Sequence, residues 1–221
     1  MPSPQQNRAS GQSEPPHDCQ RCPRLAGFRA DNAVAEPAWF NGPVPSFGDS
    51  AARLLIVGLA PGLKGANRTG RPFTGDYAGD LLYATLLKFG FATGRYDARP
   101  DDGLTLKDCM IANAVRCVPP QNKPTPEEIV TCRPFFASQI KALPKLVCLL
   151  ALGRIAHDQT LSTLGLVKKD FPFAHGRRHA LAPGLVLFDS FHCSRYNTNT
   201  GRLTVAMFED VFASVRAELV R

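Results

Sequence analysis

A chain of 221 residues with 44% hydrophobic and 20% charged residues is long enough to bury one sizeable α/β core. No apolar run approaches the roughly 20 residues that span a bilayer, and the opening MPSPQQNRASGQSEPPHDC has no apolar segment of a secretory signal. The net charge of +7 is concentrated in loops, at Lys64, Arg68 and Arg71, at Arg177 and Arg178, and at Arg195 and Arg202; such an excess admits a nucleic-acid partner without requiring one.

Residues 1–17 are polar and proline-rich and predict a disordered tail, with a single domain over 18–221 and a cytoplasmic location. Seven cysteines, without an export signal, point to thiol or metal chemistry rather than disulfides. Cys19 and Cys22 form a CxxC ligand hairpin. With Cys117 and Cys132 they offer four soft ligands for zinc or an iron–sulfur cluster, and spacing alone does not choose. Cys109 and Cys148 fall at or inside apolar runs and read as small buried hydrophobes.

The run RLLIVGLA (53–60) predicts the first buried strand. Its following loop, GLAPGLKGANRTGRPFTGD, carries Gly58, Gly62, Gly65, Gly70 and Gly75, a density that lets backbone approach a ligand closely. It matches neither G-x-x-x-x-G-K-[ST] nor G-x-G-x-x-G, which argues against a nucleotide-handling enzyme. Phe73 in this loop reads either as a core plug or as a stacking platform for a planar base. Residues 78–89 place Leu81, Leu82, Thr85, Leu86 and Phe89 on one helical face.

CMIANAVRC (109–117) predicts the second strand, with Asn113 and Cys117 near its end. The segment 125–143 opens Thr-Pro-Glu-Glu, a helix start, and Pro134 is expected to kink or split that helix. KLVCLLALG (145–153) and GLVLFDSFH (184–192) complete four strands, and a last helix begins near Thr204. Alternating strands and helices predict an α/β fold with a parallel sheet covered on both faces, whose ligands bind at the carboxyl ends of the strands. Asn113, His192 and the glycine loop would meet at that edge. His157, His175 and His179 lack patterned partners and read as surface or loop residues. His192 reads as a strand-end histidine or, with the adjacent Cys193, as a metal-ligand pair.

Together GLAPGLKGANRTGRPFTGD, IANAVRC and HCSRYNTNTGRLT resemble the uracil-DNA glycosylase superfamily, most closely its family 5 branch, from about Cys19 to the end. The resemblance implies a three-layer α/β/α sandwich around a four-stranded parallel sheet and a monofunctional, monomeric enzyme that removes deaminated bases from DNA. It also implies a structural [4Fe–4S] cluster on Cys19, Cys22, Cys117 and Cys132. By similarity, Phe73 stacks on the base, backbone near Ala60 and Gly62 meets its edge, and Asn113 serves that edge or the attacking water. His192 donates to the base O2.

Several families carry an acidic or amide residue where Leu59 stands here, so Asn67 and Asp76 become the candidates to orient water. Asp76 equally reads as the cap of the helix beginning near Ala78. A site that leans on leaving-group stabilisation implies uracil together with hypoxanthine or related lesions. Ser194, Arg195, Asn197, Asn199 and Arg202, with Arg68, would contact DNA. Cys193 stands where many relatives have proline and would shape the turn. The competing reading is a non-catalytic basic DNA-binding module with a structural metal site made of the four cysteines.

Overall fold

The computed structural model describes residues 14–220; of the expected tail, residues 1–13 lie outside the described residues. Glu14 already touches the domain, accepting from the Ser46 amide at 2.8 Å and pairing with Arg116 at 3.4 Å. Helix α1 covers Pro23–Ala35, with proline at its start, where a missing N–H costs nothing. Then follow β1 (Phe47–Gly48), β2 (Leu54–Gly58), the short helix α2 (Ala66–Thr69) and α3 (Tyr77–Lys88). A small hairpin, β3 (Ala92–Thr93) and β4 (Thr105–Leu106), precedes β5 (Cys109–Asn113) and α4 (Pro126–Lys141). The remainder comprises β6 (Cys148–Leu152), α5 (Arg154–Thr163), β7 (Arg178–Ala182), β8 (Leu185–Ser190), α6 (Arg195–Asn199) and α7 (Val205–Leu219).

The sheet order is β1-β5-β2-β6-β8-β7. Its four central strands are parallel, as the sequence implies, and antiparallel β1 and β7 extend it to six. The two additions carry weak signals: β1 is two residues long, and β7 is a largely exposed edge. Each central strand is shorter than its apolar run because pairing stops at the carboxyl edge. Residues 59–60, 114–117 and 191–192 leave the sheet to build loops.

Strand alternation sorts the core into two layers. Leu54, Ile56, Ile111, Leu150 and Phe188 face α3 and α7, packing on Leu82, Leu86, Phe208 and Phe212. Leu55, Val57, Ala112, Leu149 and Leu187 face the opposite side, against Phe136 of α4 and Ala156 and Leu161 of α5. Both faces are covered, hence the continuous apolar runs. Burying each such leucine or isoleucine stabilises the fold by about 1.5–3 kcal/mol.

Thr125 caps α4 in a reciprocal box with Glu128. Of the kink or split expected at Pro134, the split does not occur: α4 continues through it as one helix. The proline ring is exposed, while Cys132 and Phe136 on either side are buried, so tertiary packing carries the helix across the missing hydrogen bond.

Candidate active site

The carboxyl ends of β2 and β5 are stitched beyond the sheet by Ala114 N–H to Gly58 O (3.0 Å) and Val115 N–H to Leu59 O (2.9 Å). Where they meet, Gly58 has no room for a side chain. A Cβ there would stand 2.3 Å from Asn113 Oδ1 and 2.9 Å from the Phe73 ring. Glycine therefore lets Asn113 and Phe73 converge. Phe73 is buried at 7% exposure, with a positive φ of 53° that its surroundings must enforce. They do so with a buried clamp. Arg71 forms a fork to Asp102 at 2.9 and 2.7 Å and donates to Thr74 Oγ1 at 2.7 Å, while the Tyr83 hydroxyl donates to Pro72 O at 2.7 Å.

His192 enters from the end of β8, its ring 5.9 Å from that of Phe73 and tilted by 30°. Burial lowers its pKa, and no charged partner opposes the shift, so the imidazole is held neutral. Its backbone is fixed by Asn197, whose side-chain amide donates to His192 O at 2.8 Å. Phe73 and His192 thus come from two loops, and Asn113 from the end of β5, to one place. Ala60 and Gly62 are partly buried on the loop after β2, Ala60 packing against the Leu25 and Cys132 cluster.

Asn67 is fully buried: its Nδ2 donates to Asn41 Oδ1 at 2.9 Å, while its Oδ1 has no partner among the described residues. The same holds for the buried Asn113 Oδ1. Unmatched buried amide oxygens are costly unless water or a ligand meets them. Asp76 has the structural role the sequence allowed, capping α3 by accepting from Gly79 N–H at 3.1 Å. Its second oxygen faces the glycine loop, where a Cβ on Gly62 or Gly65 would lie 3.0 or 2.5 Å away. Burial raises the pKa of this carboxyl, and Asp80 adds to the rise against the amide hydrogen bonds.

Two of the residues expected to face DNA use their side chains internally: Ser194 caps α6 by accepting from Asn197 N–H at 3.4 Å, and Asn197 holds His192. Arg195 lies over the Tyr77 ring at 5.2 Å, and Arg202 over Phe191 at 4.7 Å. Both are exposed, as are Arg68, Asn199 and Tyr196.

Cys19, Cys22, Cys117 and Cys132 line one small cavity with Leu25 and Phe135. All are free thiols. Burial pushes Cys117 up to about 12 and raises Cys22 and Cys132, and neighbouring cysteines add to each rise. Crowded thiols that resist ionisation fit a thiolate-binding metal group, which would supply the missing positive charge. The Arg116 amide already donates to Cys132 Sγ at 3.4 Å. Cys193 is elsewhere, buried, with its thiol directed at Ala78 O (3.4 Å), so His192 and Cys193 are not a ligand pair.

The reading of His157 and His179 as surface residues is overturned. Both are buried and share Asp189, at 2.6 and 2.8 Å. The sequence held a signal for this: an acid in the middle of the apolar run GLVLFDSF requires buried partners. His175 is partly buried, accepting from Phe191 N–H at 3.0 Å.

The α/β/α sandwich thus brings an aromatic ring, an amide and an imidazole together at its strand edge. Comparison with known proteins makes this specific. Residues 45–216 match the uracil DNA glycosylase superfamily. The chain is 44% identical to the type-5 uracil-DNA glycosylase of Thermus thermophilus over 204 residues, 90% of this chain and 92% of that one. It is 40% identical to the type-5 enzyme of Mycobacterium leprae over 206 residues, covering 90% of each. The corresponding protein of Pyrobaculum aerophilum is 37% identical over 91% of this chain and 89% of its own. The chain belongs to the uracil-DNA glycosylase superfamily, in its type-5 branch.

Proposed function

We infer that this protein is a monofunctional DNA glycosylase that removes uracil, and also hypoxanthine or related deaminated bases, leaving an abasic site. The convergence of Phe73, Asn113 and His192 carries the reading. A base inside a duplex is out of reach, so the nucleotide must be flipped into the pocket. Phe73 stacks on the base, while backbone near Ala60 and Gly62, with the Asn113 amide, reads its edge. As the N-glycosidic bond breaks, negative charge gathers on the base and positive charge on the sugar. His192, neutral and already oriented, donates to the base O2. We assign the water that takes C1′ to Asn67, Asn113 or the Asp76 carboxyl.

Cys19, Cys22, Cys117 and Cys132 would hold a [4Fe–4S] cluster. Bound there, it supplies a covalent tie among the segment before α1, the loop after β5 and α4. Arg68, Arg195, Asn199 and Arg202 supply charge and polar groups for phosphate, giving affinity without sequence preference. Ser194 and Asn197 contribute by holding their loop. No described helix is long and apolar enough to cross a membrane, and we place the protein as a monomer in the bacterial cytoplasm, at the nucleoid.

The test is base release from oligonucleotides carrying uracil, hypoxanthine or xanthine, single- and double-stranded, read as alkali-labile nicks. Uracil release is expected. Binding to DNA without release of any base, together with zinc in place of iron, would establish the non-catalytic module instead.

A further inference from the structure

Asp189 is fully buried in β8 between His157, at 1% exposure, and His179, at 6%. Its Oδ1 lies 2.6 Å from His157 Nδ1, and its Oδ2 lies 2.8 Å from His179 Nε2 and accepts from Ala174 N–H at 3.2 Å. The other nitrogen of His157 sits 2.9 Å from Phe171 O. A carbonyl only accepts, so His157 Nε2 must donate. The same ring meets the Asp189 carboxylate through Nδ1. Two ligands of a tetrahedral metal ion with bonds of about 2.0–2.1 Å would stand about 3.3 Å apart. Contacts of 2.6 and 2.8 Å are direct hydrogen bonds.

This cluster organises a loop that reaches the active site. Asp189 accepts from Ala174 N–H with its side chain and from Gly176 N–H, at 2.8 Å, with its backbone, while His157 holds Phe171 O. Residues 171–176 are thereby folded against the end of β8. The loop carries His175, whose Nδ1 accepts the Phe191 N–H at 3.0 Å, with the two rings stacked at 4.9 Å. Phe191 immediately precedes His192 and has left the sheet. We propose that Asp189, bridging His157 and His179, is a positioning residue that acts through the 171–176 loop and His175 to aim the His192 imidazole at the leaving base.

The proposal rests on His192 being the donor to that base, and a double-mutant cycle separates the two. Single-turnover release of uracil and of 5-fluorouracil, the better leaving group, is measured for Asp189→Asn, His175→Phe, His192→Ala and their combinations. Iron content and melting temperature establish folding. Asp189→Asn and His175→Phe are each expected to slow uracil release roughly tenfold to a hundredfold, with a smaller loss for 5-fluorouracil. In the His192→Ala background each should cost less than about twofold. His175→Gln, which restores an acceptor, should recover most of the rate.

His175 lies in a partly buried loop, so its variants keep the test open if Asp189→Asn fails to fold. Equal losses with and without His192, or equal losses on both bases, would overturn the positioning role while leaving the donor role intact. A silent His192→Ala would overturn the donor role itself. One zinc per chain, lost in Asp189→Asn, would replace the hydrogen-bonded cluster with a metal site.

Discussion

The Phe73 and His192 rings lie 5.9 Å apart at a 30° tilt, one from the loop after β2 and the other from the end of β8. Among the described residues no hydrogen bond perturbs the imidazole, and burial lowers its pKa. A neutral donor next to a stacking face is suited to a base that gains negative charge as it leaves. His192→Ala is expected to slow uracil release by about 10²-fold or more, with DNA binding retained in a gel-shift assay.

Because the folded-state value of His192 lies below the ordinary histidine value of about 6.5, the neutral form persists below neutral pH. The rate should be flat near pH 7 and fall only as pH drops through that lowered value. The unfolded chain takes up this proton more readily, so His192 also subtracts stability as pH falls. A rate profile that declined as pH rose through neutrality would contradict the neutral donor.

Gly58→Ala tests the close approach that builds the pocket. The new methyl would stand 2.3 Å from Asn113 Oδ1 and 2.9 Å from Phe73. Something must shift, at a cost of about 1–3 kcal/mol as overpacking. Uracil release should fall more than the melting temperature suggests, since the displaced groups are those that hold the base.

Asp102→Ala leaves Arg71 charged and buried, since the Arg71 and Asp102 side chains are only 4% and 0% exposed. Breaking such a pair costs about 3–5 kcal/mol, read by denaturant unfolding. Burial would raise the Asp102 carboxyl, but the Arg71 fork and two backbone amides overcome it and hold it well below the usual carboxylate range. Its stabilisation is therefore present above about pH 4 and is lost only in strong acid.

Cys117→Ser should abolish the absorbance near 400 nm expected of the proposed [4Fe–4S] cluster and lower iron content, because Cys117 lines the four-cysteine cavity. Cys193→Ala, which removes only the contact with Ala78 O, should leave iron unchanged. Lost iron in the second variant would return Cys193 to the metal site.

The sequence by itself determined the layers and their edge. Continuous apolar runs, helical stripes and turn residues are local signals, and they located the four parallel strands, α3, α4 and α7, and the loops after the strands. The four cysteines and the glycine-dense loop were legible for the same reason, since composition and spacing survive without coordinates. Only the tertiary structure decided which side chains face one another. Strand order sets Phe73 beside His192 and closes His157 onto Asp189, which also meets His179. The Phe73–His192 and His157–Asp189 pairings join residues far apart in the chain, where no local periodicity reaches, and they depend on register and burial that exist only once the sheet has formed.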